Sequence, residues 1–519
     1  MKQNRVTYLK NILFPCVLFS AVTGILTGGL IFLFRRGATI LSGWSTSAYA
    51  FVRENPKAIP LFFLGALVLG VISWLFLKFI PDCRGGGIPT AIGLLRGALS
   101  FRWLSSLLGV FFSSMVTFLM GIPLGTEGPA VQMGTAVGRG AVRLFGQRHP
   151  AWDRYVMTGG AGAGFAAATG APLTGILFAF EEAHGRFSPM LLMVSAMTAV
   201  FSSVTSKLLF SLGGFSWEMF PLSTDAFLPL HQLWAPLGVG VLCGLFAVVF
   251  TKVYTLFGDC LQKLKKIPLI VNVLLIFLIT GFVGILFPQG VGSGHHLIEE
   301  LLHGDGTFGL LILLLFLRSI LLIGANHVGI TGGLFVPSLA FGALLGAIFG
   351  KAVLFFGIFP EEYASILVIV GMCSFLAASS RTPLMAIAFA LEVLCGPNNI
   401  LSVILGVAFA YVVIEMFGIM GFIDTVVEKK IEKSHAGKTS ETIDREFTVQ
   451  PNSFVVGKEI RDILWPPSCI VLSIDRNPAA ARGSGEISEG DVLHLHYKTV
   501  DPDATARSIQ ALVGVQSEI

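Results

Sequence analysis

Charge is scarce in this chain: Asp, Glu, Lys and Arg make up 13% of its 519 residues, against 54% hydrophobic residues. With a mean hydropathy of +0.79, too little polar material is present to cover a water-facing surface, which excludes a soluble globular enzyme, a secreted scaffold and a disordered chain. Cysteine is sparse and unpatterned. The seven cysteines are odd in number and none forms a C-x-x-C, so they read as small apolar fillers, with no disulfide framework or metal site implied. The net charge of +4 comes with basic residues confined to short loops between apolar runs, so nucleic acid is not expected as a partner. H-E-x-x-H is absent. The stretch Gly292-Ser293-Gly294-His295-His296, followed by Glu299 and Glu300, raises an intramembrane hydrolase or metal enzyme as a remote alternative, but G-S-G-H is not a nucleophile elbow and adjacent histidines diverge on a helix.

What the chain has in abundance is long apolar runs. One runs from Ile12 to Phe34, preceded by Lys2, Arg5 and Lys10 and closed by Arg35-Arg36; it reads as a retained spanning helix. Ten further stretches of near-spanning length lie between residues 59 and 422. Backbone in lipid must satisfy its own hydrogen bonds, so an all-α polytopic membrane protein in a lipid bilayer follows. Basic residues lie on both sides of the early spans, so their distribution does not fix the orientation. Charge is concentrated at the other end: 24 of the 66 charged residues fall in the last 91 positions, marking a small soluble unit behind the membrane part.

Gly160–Glu181 aligns without gaps on Gly371–Glu392, with nine of 22 positions identical, and Pro129, Gly134 and Gly138 recur as Pro337, Gly342 and Gly346. Helix-packing composition explains repeated glycines and alanines, but not Pro172/Pro383, Leu173/Leu384, Phe178/Phe389 and Glu181/Glu392 in one register. Two homologous halves, about 1–215 and 216–425, are implied. Paired, interrupted helices of this kind place substrate near the bilayer midplane.

Three segments carry glycines and then a proline that opens a helix: Gly85 to Pro89, Gly125 to Pro129 and Gly332 to Pro337. The free N–H groups of a helix start, with the positive end of its dipole, hold an anion without a formal cation. A halide held that weakly is able to leave, as conduction requires. Glu127 is an ionisable group among these apolar helix starts. Its carboxylate can fill the anion site and protonation can remove it, so one group serves as gate and proton carrier; an N-cap acid is the plainer reading.

The segments GGGIP, GTEGPAVQMG, GAPLTGILFAFEE and GITGGLFVPSLAFGALLG, in this order along the chain, resemble the CLC family of chloride channels and chloride/proton antiporters. The resemblance implies two inverted halves of broken helices over residues 1–425, a homodimer with one pathway per subunit, and both termini in the cytoplasm of a cell (inner) membrane protein. By motif it makes Glu127 the external gating glutamate and Glu182 the internal proton-feeding glutamate. It lines the anion pathway with Gly86, Gly87, Ile88, Leu334 and Phe335. Ile423, or Phe422, falls where the family's central tyrosine belongs, and Gly86 where its serine belongs, so two side-chain donors are missing. Thr126 stands where a basic residue often precedes the gating glutamate, which implies a less positive external field. Glu181, present in both halves as Glu392, reads as structural, and Arg318 reads as paired or snorkelling. The expected function is chloride/proton antiport with no cofactor and no enzymatic activity; the alternatives are a passive anion channel or a fluoride/proton antiporter.

After a charged linker, 426–445, residues 446–519 suggest strand, a helix starting at Gly457-Lys458, strand and strand. This unit resembles the TrkA-C (RCK C-terminal) domain, which implies dimerisation and regulation by a cytosolic ligand such as a nucleotide.

Overall fold

The computed structural model describes residues 12–85, 87–144, 150–220, 227–263, 267–436, 439–451, 453–475 and 485–514. Its first eight helices are α1 (Phe14–Glu54), α2 (Ile59–Phe79), α3 (Ile88–Leu95), α4 (Trp103–Met120), α5 (Glu127–Leu144), α6 (Asp153–Thr169), α7 (Pro172–Leu177) and α8 (Pro189–Leu212). The next eight repeat the series: α9 (Trp234–Lys263), α10 (Leu269–Leu286), α11 (His295–Leu302), α12 (Phe308–Val328), α13 (Phe335–Phe355), α14 (Ala364–Ser380), α15 (Pro383–Phe389) and α16 (Ile400–Met416). Each helix of the first set is answered by the one eight places later. Gly125 and Gly333, equivalent positions ahead of α5 and α13, form an antiparallel bridge with hydrogen bonds of 2.8 and 2.7 Å in the two directions. Equivalent residues pair antiparallel only across a local two-fold, so the halves are inverted relative to each other.

Nine of the described helices are long and apolar enough to cross a membrane. Two pairs of helices are broken end to end. The break between α6 and α7 turns at Gly170 (φ 76°) before Pro172, and its counterpart turns at Arg381 (φ 59°) before Pro383. A left-handed residue ends the first piece and a proline at the first position starts the second. Interior packing relies on small residues. A Cβ built on Gly134 would lie 2.0 Å from the Gly160 carbonyl oxygen, and one on Gly342 would lie 2.2 Å from that of Gly371, so α5 crosses α6, and α13 crosses α14, at backbone contact.

The N-terminal run departs from expectation. Arg35 and Arg36 do not close it; the helix runs on to Glu54, 41 residues in all from Phe14, about 60 Å at 1.5 Å per residue. Arg35 is accommodated because Nη1 donates to Ala167 O (3.2 Å) and Nη2 to Trp217 O (3.1 Å), with the guanidinium over the Phe210 ring.

After α16, α17 (Phe422–His435) absorbs the first half of the expected linker. The terminal unit is β1 (Glu441–Thr448), β2 (Cys469–Ile474), β3 (Val492–Thr499) and α18 (Pro502–Val513), an antiparallel sheet ordered β1-β3-β2. Phe447, Ile474, Leu493, Leu495, Ile509 and Val513 fill its core. The helix expected at Gly457-Lys458 is only a 3₁₀ turn at Ile460–Asp462, because Pro466-Pro467 leaves no room for another turn. The helix follows the last strand instead, where Asp501 caps Ala504 N at 3.0 Å ahead of Pro502.

Candidate functional site

Three glycine loops meet at the starts of α3, α5 and α13. A Cβ built on Gly128 would lie 2.7 Å from Gly333 Cα and 3.0 Å from Gly87 Cα, so the loops touch backbone to backbone. Ile88, Leu334 and Phe335 are each 2% exposed. Neither Gly87 before α3 nor Leu334 before α13 caps its helix with a side chain. First-turn amides therefore stay unpaired within their helices, next to the positive ends of the dipoles. Gly86 lies outside the described residues. The amide of Gly87 is already engaged, donating to Gln132 Oε1 at 2.9 Å, while Gln132 Nε2 donates to Asp82 O (2.8 Å) and Ser106 Oγ (3.0 Å). In this arrangement Gly87 does not offer its N–H to an anion. Gln132, inside GTEGPAVQMG but unremarked in the sequence reading, shapes that loop. The Phe335 ring fits edge-on between Phe165 and Phe389, at 4.9 and 5.1 Å.

Glu127 opens α5 with no exposure. Thr126 Oγ1 donates to its Oε1 at 2.7 Å, and the amides of Glu127 and Val336 face the carboxylate. Oε2 closes no hydrogen bond among the described residues. The carboxylate thus occupies the meeting point of the α5 and α13 starts, with a further acceptor site unfilled. Arg35 lies within electrostatic reach. A cation is therefore present near this carboxylate although Thr126 is neutral. It comes from α1, where an arginine at the end of an apolar run carried no such signal.

Glu181 and Glu182 lie on a π-helical turn, Phe178–His184. This turn sends the two carboxylates in different directions. Glu181 accepts the amides of Leu384 and Met385 at the start of α15, at 2.9 and 2.7 Å. Glu182 is 5% exposed, and its Oε2 has no hydrogen-bond partner among the described residues. Arg96, just past α3, donates to Glu182 O (3.1 Å) and Ala183 O (3.0 Å) and lies 3.7 Å from Asp424. Arg96 and Asp424 thus stand within electrostatic reach of Glu182 and were not foreseen.

Ile423, 4% exposed, is the second residue of α17, and Phe422, the first, packs edge-on against Phe250 and Tyr254. Because α17 packs on α3, Ile423 stands in the helix adjoining the first glycine loop. Lys430 on α17 reinforces this contact by donating to Arg84 O (2.7 Å) and Thr90 Oγ1 (2.5 Å). Arg318 donates to Gln289 O, Val291 O and Gly292 O at 2.8–3.2 Å, so it braces a loop. The Ser293–His295 pair (2.8 Å) belongs to that loop's end. Gly292 N donates to Gly121 O (2.6 Å), as Gly85 N donates to Gly329 O (2.7 Å). The G-S-G-H stretch is the second-half counterpart of GGGIP, which accounts for its glycines without hydrolytic chemistry.

Fold and site together define a multi-pass membrane protein of two inverted halves, with buried helix starts and a buried carboxylate where they meet. Residues 68–415 match the sequence model of the family described as voltage gated chloride channel, and the chain belongs to that family. The H(+)/Cl(-) exchange transporter ClcA of Klebsiella pneumoniae (strain 342) is 31% identical over 428 residues, covering 81% of this chain and 90% of that protein. ClcA of Salmonella arizonae is 31% identical over 430 residues, covering 81% and 89%. A solved slow cyanobacterial Cl-/H+ antiporter superposes with a TM-score of 0.73 at 25% identity over 81% of this chain and 99% of that one. A CLC-type fluoride/proton antiporter, 21% identical with a TM-score of 0.64, covering 78% and 96%, shares the fold.

Proposed function

We propose that this protein exchanges chloride for protons across the membrane. The observation that carries the reading is the Glu127 carboxylate, fully buried at the meeting of two helix starts. An anionic carboxylate there satisfies the amides that a chloride would use; a neutral one has no charge to hold it, leaves, and takes its proton with it. Chloride and the deprotonated carboxylate thus compete for one place, and the proton that frees it leaves with the side chain, which couples the two movements in opposite directions. The amides of Ile88, Leu334 and Phe335 form the rest of the anion path, with the backbone at Gly87 and the side chain of Ile423 bounding it. Glu182, with its free carboxylate oxygen, passes protons from the cytoplasmic side. The names of the relatives support this reading, since those named above are described as H(+)/Cl(-) exchange transporters.

The protein works as a homodimer in the cell (inner) membrane with both termini cytoplasmic, and residues 446–519 form a TrkA-C-like regulatory unit that binds a cytosolic ligand such as a nucleotide. Reversal potentials of the purified protein in liposomes, under separate chloride and pH gradients, test the central claim. Exchange predicts a potential that moves with both gradients. A potential that follows chloride alone would make the protein a passive channel, and one that follows fluoride in preference would make it a fluoride exporter.

A further inference from the structure

The terminal unit does not hang free below the membrane part. Its segment from Asp462 to Pro467 is bonded to α6. The Tyr155 hydroxyl donates to Asp462 O (3.1 Å) and accepts from Leu464 N (2.9 Å), and Ser188 Oγ donates to Asp462 O (3.0 Å). Leu464, 2% exposed, is buried in a cluster with Trp152, Tyr155 and Phe180, while Phe454 packs edge-on against Trp152 at 5.7 Å. Arg154 divides its guanidinium between two partners. Nη1 donates to Leu464 O (3.0 Å) and Trp465 O (2.7 Å); Nε and Nη2 donate to Leu95 O (3.1 and 2.9 Å). Pro467 completes the contact, since a Cβ built on Gly97 (φ 77°) would lie 3.2 Å from its Cδ.

Between Leu95, held by the same Arg154 that binds the tail, and Gly97, which abuts Pro467, stands Arg96, the residue bonded to the Glu182 carbonyl and facing Asp424. We infer that the C-terminal unit controls the cytoplasmic proton entrance at Glu182, with Arg154 as the positioning residue that transmits docking to Arg96. The inference rests on the reading of Glu182 as the internal proton group. Docked, the tail fixes the Arg96 cation beside Glu182 and Asp424, and a positive charge there repels an arriving hydronium. Undocked, Gly97 loses its Pro467 contact and Arg154 loses the two tail carbonyls that fix its guanidinium on Leu95 O, so the 95–97 loop loosens and Arg96 is free to swing aside. A ligand that binds the undocked tail more tightly than the docked one would then accelerate exchange, as differential affinity requires.

The test measures proton and chloride fluxes separately in proteoliposomes, for Leu464→Asp and Tyr155→Phe in the full chain and for a chain ending at His435, each with Glu182 intact and with Glu182→Gln. Undocking should raise coupled exchange roughly twofold or more, the range expected when one link of a coupled contact is removed, with the chloride-to-proton ratio unchanged. In the Glu182→Gln background the same changes should leave the residual chloride flux where it was. A chloride flux that moves by the same factor in both backgrounds would overturn the inference and route the tail's action through α3 to the anion path. Unchanged fluxes in every undocked variant would make the tail an inert clamp. The underlying reading fails separately, if Glu182→Gln alone still carries protons at the wild-type rate.

Discussion

Glu181 and Glu392 each close the other half of the molecule. Glu181 accepts two amides at the start of α15, and Glu392 accepts the amides of Leu173 and Thr174 (2.7 and 2.8 Å) together with the Thr174 hydroxyl (2.7 Å) at the start of α7. The repeat that placed these two acids in one register also pairs them across the two-fold, where each neutralises a helix dipole that its own half cannot reach.

Removing either acid should therefore cost stability without touching transport chemistry. Glu392→Ala leaves two amides and a hydroxyl without their charged acceptor, worth about 1–3 kcal/mol, and Glu181→Ala leaves two amides. Thermal unfolding in detergent should show a lower midpoint for both, with the larger fall for Glu392→Ala, and a preserved chloride-to-proton ratio in the folded fraction. A changed ratio would mean that these acids belong to the proton route.

The halves and their broken helices were legible because glycine and proline mark helix ends in sequence. The same holds for Glu127, whose isolation among apolar helix starts is a local feature. Arg96, Arg35, Gln132 and Asp424 were not legible as site residues, because their roles depend on which distant segment they meet: Arg96 meets the 182–183 backbone, Arg35 the 167 and 217 carbonyls, Gln132 the Gly87 amide. Such contacts leave no periodicity. The misplaced tail helix has another cause, since Gly457-Lys458 looks like a helix start only until Pro466-Pro467 is given weight, while the stronger cap, Asp501 before Pro502, lay further on.

Glu127→Gln is expected to separate the two ions. The amide fits the same space but neither carries an exchangeable charge nor competes as an anion, so chloride flux should persist and proton flux fall to background in liposomes. Uphill proton movement driven by a chloride gradient in this variant would remove Glu127 from the proton path.

Anion discrimination should be loose. On the proposed reading, in which glycine at 86 and the absence of tyrosine at 422–423 remove two hydroxyl donors, the anion is held by backbone amides, which recognise charge more than identity. Calorimetric titration should give weak and similar affinities for chloride, bromide and nitrate. Gly86→Ser restores one hydroxyl donor and should tighten chloride by roughly tenfold, the worth of one hydrogen bond to a charged group. A wild-type protein that prefers fluoride strongly would contradict this.

The terminal unit should respond to pH through Lys458. Its Nζ donates to Phe454 O at 2.5 Å and lies 3.1 Å from the centre of the Phe454 ring, and burial pushes its ammonium down from 10.5 to about 7. Between those two values the unfolded unit holds a proton that the folded unit lacks, so stability rises with pH from about 7 to 10.5 and is flat below, where both forms are charged. Amide hydrogen exchange of β3 in the full-length protein, corrected for the intrinsic pH dependence of exchange, should therefore show growing protection as the medium is made alkaline. Lys458→Met should abolish this slope and protect β3 most, relative to the parent, at neutral and acid pH. The consequence reaches the membrane part as well: Phe454 packs against Trp152 and Tyr155, so protonating the neighbouring lysine loosens the unit at the face by which it docks. An unaltered slope in Lys458→Met would assign the pH response to other groups of the unit.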